Sequence, residues 1–285
     1  MLLKILFYLC LFSIILGPLG AIPLGILQIN VYITDIIVGL ICLIWITDAK
    51  QAIKLIRFDP IAKYFCLFVG IGAVSLVFSP IHINLYEKFI SGLYLVRLFS
   101  YFFIYLTAKI LIKEKRVTSE SILKCLVIIG LILASFGWLQ YFFYPDLRNL
   151  YYLGWDPHLN RIFSTFLDPN YFGLMMVLTV VLTLFQDHKG IPHQARDDIV
   201  SHWVVKLVIF ITLMFTYSRS SFLALIGAGI YFSFAKKNYK LLGGIISLIF
   251  ISALLLPRPG GVGVQLERVF SMEARIINWQ QAMKI

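Results

Sequence analysis

Nine apolar runs, separated by short polar connections, occupy most of this 285-residue chain. Apolar residues make up 60% of the sequence and charged residues only 14%, whereas a soluble globular protein carries roughly 25% charged residues. Too few polar side chains are present to cover one water-soluble core, so we expect the runs to lie in lipid. The runs fall near residues 5–16, 31–46, 64–78, 89–111, 122–143, 171–185, 203–216, 221–234 and 241–256.

The runs favour helices over strands. They lack the apolar/polar alternation of a membrane barrel, and every backbone group in lipid must find a partner inside its own helix or closed sheet. We therefore predict an all-α fold, a polytopic transmembrane helical bundle of about nine spans. Several runs are shorter than the ~20 residues that cross a typical hydrocarbon layer, which predicts tilted or broken helices there.

Lysine clusters in alternate connections predict the orientation, because cytoplasmic loops retain basic residues. The clusters are Lys50, Lys54 and Arg57; Lys113, Lys115 and Arg116; Lys189 and Arg196; and Lys236, Lys237 and Lys240. Nine spans with a cytoplasmic N-terminus put all of them inside. Residues 1–144 are then N-terminal transmembrane helices. Residues 145–285 form a second part, with an external loop at 145–170, spans to 256 and an external amphipathic tail at 257–285.

The basic residues predicted to lie outside are mostly arginines. The six arginines are Arg148, Arg161, Arg219, Arg258, Arg268 and Arg275, against two lysines, Lys88 and Lys284. A guanidinium matches phosphate oxygens with two parallel donors, so an external arginine cluster indicates a phosphate or diphosphate site. Contact with phospholipid headgroups is the alternative for any single arginine. That alternative is weaker for Arg161, Arg219 and Arg275, because three separate segments bring them to one face.

Arg97 lies well inside the fourth run, where an unpaired charge costs about 2.5–3.5 kcal/mol on insertion scales. Asp35, near the outer end of the second run, is the obvious partner. We predict a structural ion pair between the two. The alternative is that Arg97 lines a polar cavity and contacts substrate.

Three segments carry a family resemblance. They are Arg-Ile-Phe-Ser-Thr-Phe-Leu-Asp-Pro-Asn at 161–170, Thr-Tyr-Ser-Arg-Ser-Ser-Phe-Leu-Ala-Leu at 216–225, and Ser-Met-Glu-Ala-Arg-Ile-Ile-Asn-Trp-Gln-Gln-Ala at 271–282. In this order, and between these apolar runs, they resemble the O-antigen ligase and polymerase family. The resemblance covers the second half of the chain, so residues 145–285 would be the ligase-related domain. The first half matches only as apolar spans.

The resemblance implies a membrane glycosyltransferase on the external, periplasmic face of the bacterial cytoplasmic (inner) membrane. Such an enzyme moves a glycan from an undecaprenyl-diphosphate carrier to lipid A core, as a ligase, or to a growing glycan, as a polymerase. It implies no metal and no other cofactor. By similarity, Arg219 and Arg275 are the catalytic pair that stabilises the diphosphate as negative charge grows on it.

Four further residues are predicted to bind substrate. They are Arg161, Asn170, Tyr217 and Arg268. Asn170, together with Pro169, has an alternative role in starting the following helix. Tyr217 and Trp279 are expected to pack against a sugar or the polyprenyl chain, with interfacial aromatic anchoring as the alternative.

Ligases of this family are expected to carry an external histidine further toward the C-terminus, where it activates the acceptor hydroxyl. None of the five histidines occupies that place. We therefore expect a truncated chain; alternatively, His158 or Asp156 in the external loop serves as the base. Residues 265–285 have near-helical apolar spacing and predict an amphipathic helix on the outer leaflet.

A membrane transporter and an inactive family fragment are the competing functions. Internal symmetry between halves would favour transport, and the sequence has none. No metal-binding motif occurs in the sequence. The net charge of +11 is spread over connections between spans, which indicates contact with membrane lipids and no nucleic acid.

Overall fold

The structure is a computed structural model that describes residues 1–25, 29–78, 84–186, 196–237, 239–257, 260, 264 and 270–283. Over these residues the fold is all-α apart from one short hairpin, as predicted. A helix overlaps each of the nine predicted runs. The helices are α1 Leu2–Ser13, α2 Ile33–Thr47, α3 Ala49–Phe58, α4 Pro60–Phe78, α5 Leu85–Lys113, α6 Ser119–Phe143, α7 Pro169–Gln186, α8 Arg196–Met214, α9 Arg219–Lys236, α10 Tyr239–Leu255 and α11 Phe270–Ala282.

Four helical segments in the described part are long and apolar enough to cross a membrane. A fifth is added if α2 and α3, which meet at 95°, count as one broken span. The four segments are Leu2–Gly20, Pro60–Phe78, Leu85–Lys113 and Ser119–Phe143. Apolar stretches within α7 to α10 are shorter. They run over Pro169–Leu184, Val204–Met214, Arg219–Ala235 and Leu242–Ser252.

The first lysine cluster lies on α3, and not in the irregular connection expected from the sequence. Ala52 is buried on one side of this helix, while Lys50, Lys54 and Arg57 are exposed. Spacings of four and three residues put these three cations on one face. α3 is therefore an amphipathic helix, set across the end of α2.

A two-stranded antiparallel hairpin, β1 Ala21–Leu24 and β2 Ile29–Tyr32, was not predicted. Glycine and proline are its cause. Gly17 has φ +48°, which kinks the short 3₁₀ segment Ile14–Gly20 after α1. Pro18 and Pro23 have no N–H to continue a helix. The predicted second run, 31–46, therefore becomes helical only at Ile33.

The chain divides into two compact units, Met1–Ile129 and Gly130–Ile285, with the division inside α6. In the first unit, Asp59 links the start of α4 to α5. One carboxylate oxygen accepts from the Ile61 N–H, and the other accepts from Tyr105 and Lys109, each at 2.6 Å. The Lys109 ammonium, aided by Tyr105, lowers the pKa of Asp59. Trp45 donates to Thr107 at 2.9 Å and ties α2 to α5.

In the second unit, α7 packs against α6, α8 and α9. A Cβ at Gly130 of α6 would lie 2.3 Å from the hydroxyl oxygen of Thr179 on α7. Trp138 of α6 donates to Thr212 of α8 at 2.9 Å. These contacts bring the start of α7 beside the junction of α8 and α9, where the polar side chains gather.

Candidate functional site

The segment Thr216–Ser218 joins α8 to α9 by a sharp turn. Tyr217 has φ +50°, in the left-handed region that side chains other than glycine rarely adopt. Ser218 caps α9, because its hydroxyl accepts from the Ser221 N–H. Arg219 is therefore the first residue of α9, and its side chain is half-buried. The turn fixes Arg219 at a helix N-terminus, where the helix dipole favours an anion.

The start of α7 lies directly beside this turn. Asp168 caps α7 by accepting from the N–H groups of Asn170 and Tyr171, and Pro169 takes the first helical position. Asp168 is thus the capping side chain, which leaves the Asn170 side chain available for another contact. Its Oδ1 atom accepts from Ser218 at 3.1 Å.

Three serines surround that contact. The Ser218 hydroxyl lies 3.0 Å from that of Ser220 and 2.9 Å from that of Ser221. Ser221 also donates toward the carbonyl oxygen of Asn170 at 3.5 Å. A cluster of hydroxyl and amide groups therefore joins the N-termini of α7 and α9. Arg219 lies in this cluster's sequence, between Ser218 and Ser220.

Gly173 permits this close approach of α7 and α9. A Cβ added there would lie 2.3 Å from the Ser221 hydroxyl oxygen, 3.0 Å from the Ser221 Cβ and 3.2 Å from the Thr216 hydroxyl oxygen. Real Cβ atoms essentially never come within 3.0 Å of another heavy atom. A residue larger than glycine would push the serine cluster away from Asn170.

We expect Gly173→Ala to lower the free energy of unfolding by about 1–3 kcal/mol, because the methyl group overpacks this contact. The midpoint of unfolding in detergent measures the loss. Gly227→Ala in α9 is the matched control, since nothing lies within 4 Å of its added Cβ. It should keep or raise the midpoint, because alanine favours helix by about 1 kcal/mol over glycine. Equal midpoints for the two variants would contradict the packing argument.

Arg161 is fully buried. Its Nε donates to the carbonyl oxygen of Thr216 at 2.8 Å, and its Nη1 lies 3.4 Å from Nδ1 of His158. The neighbouring Ile162 N–H donates to the carbonyl oxygen of Phe215 at 3.0 Å. Arg161 therefore fastens the external loop to the α8–α9 turn.

Gln140 of α6 holds the same loop, and sequence reasoning did not single it out. Its side-chain oxygen accepts from the N–H groups of Phe163 and Ser164 at 2.9 and 3.3 Å. Its side-chain nitrogen donates to the carbonyl oxygens of Tyr144 and Arg161. A glutamine near the end of an apolar run was the only sequence signal for this role.

Tyr217 is buried with 1% of its surface exposed. Its hydroxyl donates to the carbonyl oxygen of Pro257, and its ring packs edge-on against Phe215. Burial raises the pKa of this hydroxyl to about 12, so it remains a neutral donor. Tyr217 ties the end of α10 to the turn.

Of the other arginines predicted to lie on the external face, the structure describes the side chain of Arg148 only. Arg148 is exposed and pairs with Asp146 through bonds of 2.7 to 3.1 Å. The Arg275 backbone lies in α11, while its side chain lies outside the described residues. Arg258 and Arg268 lie wholly outside them.

The structure thus brings Arg161, Asn170, Tyr217 and Arg219 to the turn between α8 and α9. Arg161 and Tyr217 face inward and hold the turn, whereas Arg219 is half-buried. Asp35 and Arg97 lie elsewhere, in the first unit, with their charged groups 2.8 Å apart. No family model, no curated protein and no solved structure matches this chain.

Proposed function

We propose that this chain is a membrane glycosyltransferase of the O-antigen ligase and polymerase type. One observation carries the proposal. The α8–α9 turn and the start of α7, which contain two of the three segments that resemble the family, are in direct contact. Side-chain types suited to a phosphate-bearing substrate are gathered there, namely a half-buried arginine, an amide and three hydroxyl groups.

The proposed placement is nine spans with a cytoplasmic N-terminus in the bacterial inner membrane. The alternating lysine clusters support this orientation. The bilayer would thin locally around the shorter helices α7 to α10. The external loop at 145–170 and the α8–α9 turn then share the periplasmic side.

The proposed reaction needs little beyond positioning and charge stabilisation. The acceptor hydroxyl oxygen attacks the anomeric carbon of the glycan as the bond from that carbon to the diphosphate oxygen breaks. The bonding pair leaves with undecaprenyl diphosphate, which gains negative charge. Arg219 and Arg275 are proposed to donate to its oxygens, and a guanidinium remains charged when water is partly excluded.

The rest of the cluster has positioning roles in this proposal. The N-terminal end of α9 adds the partial positive charge of a helix dipole beside Arg219. Asn170 holds Ser218, and Arg161 and Tyr217 hold the turn from inside. The acceptor proton needs a base. Of the two loop residues considered, Asp156 is exposed, whereas His158 is buried against Arg161.

Expression of this gene in a bacterium that lacks its own glycan ligase tests the proposal. We expect surface glycan to reappear, detected by glycan-specific staining of separated cell-envelope lipids. Glycan linked to lipid A core would identify a ligase, and longer glycan on the undecaprenyl carrier would identify a polymerase. A carrier-linked glycan pool that stays unchanged in length and linkage would contradict glycosyl transfer.

A further inference from the structure

A cavity of about 240 Å³ lies in the first unit, between the hairpin, α2 and α5. Apolar side chains such as Leu24, Val38 and Leu93 form much of its wall. The polar part of the wall comes from Asp35, Arg97, Ser100 and the rings of Tyr94 and Tyr101. The proposed glycan transfer makes no use of this cavity.

The cavity lies at the level of the middle of an apolar helix. Leu95 of α5 packs against Gly72 of α4, and Phe102 stacks on Phe65 at 4.3 Å between ring centres. Arg97 falls between these two contacts along α5, so it lies at the level of the central part of α4. Irregular backbone and charge at such a depth are tolerated where they are buried in protein or line a cavity.

The Asp35 carboxylate is fully engaged inside this wall. One oxygen accepts from the Tyr32 N–H and from Arg97, each at 2.8 Å. The other oxygen accepts from the Tyr101 hydroxyl at 2.9 Å. The negative charge of Asp35 is therefore shared among three donors.

Arg97 retains donors for another acceptor. Among the described residues, all of its hydrogen bonds are made by Nη2, to Asp35 and to the carbonyl oxygen of Asn30. Tyr32 and Tyr94 each lie about 5.5 Å from the guanidinium carbon and keep the group oriented by cation–π contact. Nε and Nη1 then remain, and the side chain is 25% exposed.

We propose that this cavity binds the phosphate end of a membrane lipid. Nε and Nη1 of Arg97 donate to phosphate oxygens in the paired geometry that guanidinium favours. The lipid chain lies along the apolar wall. The cavity is smaller than the ~300–1,000 Å³ pockets that enclose drug-sized ligands, so it holds only the polar end and the first part of the chain. This inference rests on the proposed membrane placement and is independent of glycan transfer.

Gly39 offers a substitution that fills the cavity without touching the ion pair. It lines the cavity on α2, and nothing lies within 4 Å of an added Cβ. Gly39→Leu therefore places a side chain in the space that we propose the lipid occupies. Leucine also has a higher helix propensity than glycine. Gly70→Leu in α4 is the matched control, because its added Cβ also meets open space and Gly70 is outside the cavity wall.

The probe is dodecyl phosphate with a photoreactive diazirine in its chain, added to the purified full chain in a neutral detergent. We expect saturable labelling of α2 and α5 next to the cavity, located by mass spectrometry. The labelling should fall at least tenfold in Gly39→Leu and stay unchanged in Gly70→Leu. Gel filtration and the unfolding midpoint check that both variants remain folded.

Three further measurements test whether the cavity recognises the phosphate, the chain or both. The double variant Asp35→Asn with Arg97→Gln removes both charges together and should also lose the labelling at least tenfold. The diazirine analogue of dodecanol, which has the same chain without phosphate, should label weakly, and inorganic phosphate should not compete. Equal labelling by the dodecanol analogue, effective competition by inorganic phosphate, or undiminished labelling of Gly39→Leu would each overturn the lipid-phosphate assignment.

Discussion

Replacing Arg219 by alanine should lower the rate of glycan transfer by a factor on the order of 10²–10³. Arg219 is the first residue of α9, where the Ser218 cap and the contact with Asn170 fix the backbone. Its guanidinium would donate to the diphosphate as the leaving group gains charge. Initial rates of transfer in isolated membranes, with carrier-linked glycan as donor, measure the effect.

Arg148→Ala is the control for this result. Arg148 is also an arginine of the predicted external face, but its side chain is exposed and paired with Asp146 through Nε and Nη2. The Arg148 guanidinium lowers the pKa of Asp146 to about 2, so this pair remains charged at every physiological pH. The Arg148 variant should transfer glycan at the wild-type rate. Equal losses in both variants would mean that the reaction depends on external positive charge in general and not on a specific contact of Arg219, and the diphosphate assignment would fail.

Arg219→Lys sharpens the same experiment. Lysine keeps the positive charge but cannot donate two parallel hydrogen bonds to a phosphate. We expect a rate between those of the wild type and Arg219→Ala. A lysine variant with the full wild-type rate would indicate that charge alone matters at this position, and not the guanidinium geometry.

Most helix positions could be predicted because a long apolar run marks them in the sequence. Each of the nine apolar runs overlaps a helix, and the expected amphipathic segment in the tail corresponds to α11 over its described part. Whether a helix is long enough to cross a membrane depends on where it starts and ends. The sequence predicted several runs shorter than a full span, and the apolar stretches of α7 to α10 are indeed shorter.

The hairpin before α2 shows why local patterns can mislead. Its strands are as apolar as the helices around them, so composition does not distinguish the two. The helix is interrupted before the hairpin by Gly17 at positive φ, and Pro18 and Pro23 have no N–H to donate to a helix. The hairpin places the Asn30 carbonyl oxygen where Arg97 donates to it.

The sequence indicated which residue types gather at the candidate site, but it did not give the role of each residue. Starting a helix was the alternative role of Pro169 and Asn170, and the structure gives the capping role to Asp168 instead. Asn170 instead contacts Ser218, a residue 48 positions further along the chain. Such long-range contacts depend on Gly173 and Gln140, whose importance appears only when α6, α7 and α9 are packed together.

Arg161→Met should lower the free energy of unfolding by about 1.5–3 kcal/mol, the range for hydrogen bonds made by a charged group. Methionine fills much of the same space but cannot donate to the Thr216 carbonyl or to His158. The Thr216 carbonyl then loses its charged donor inside the protein, where water cannot replace it. Unfolding by sodium dodecyl sulfate in mixed micelles measures the loss. Arg148→Met, at an exposed position, should change stability by less than about 0.5 kcal/mol.

Arg161→Met also distinguishes a positioning role for Arg161 from direct contact with substrate. If Arg161 only holds the turn, Arg161→Met should lose transfer in proportion to its unfolded fraction, and the rate should recover at temperatures where the protein is folded. Arg219→Ala should behave in the opposite way, with normal stability and a slow reaction at every temperature. An Arg161→Met protein with wild-type stability and no transfer would contradict the positioning role. It would make the guanidinium a substrate contact, as the sequence alone suggested.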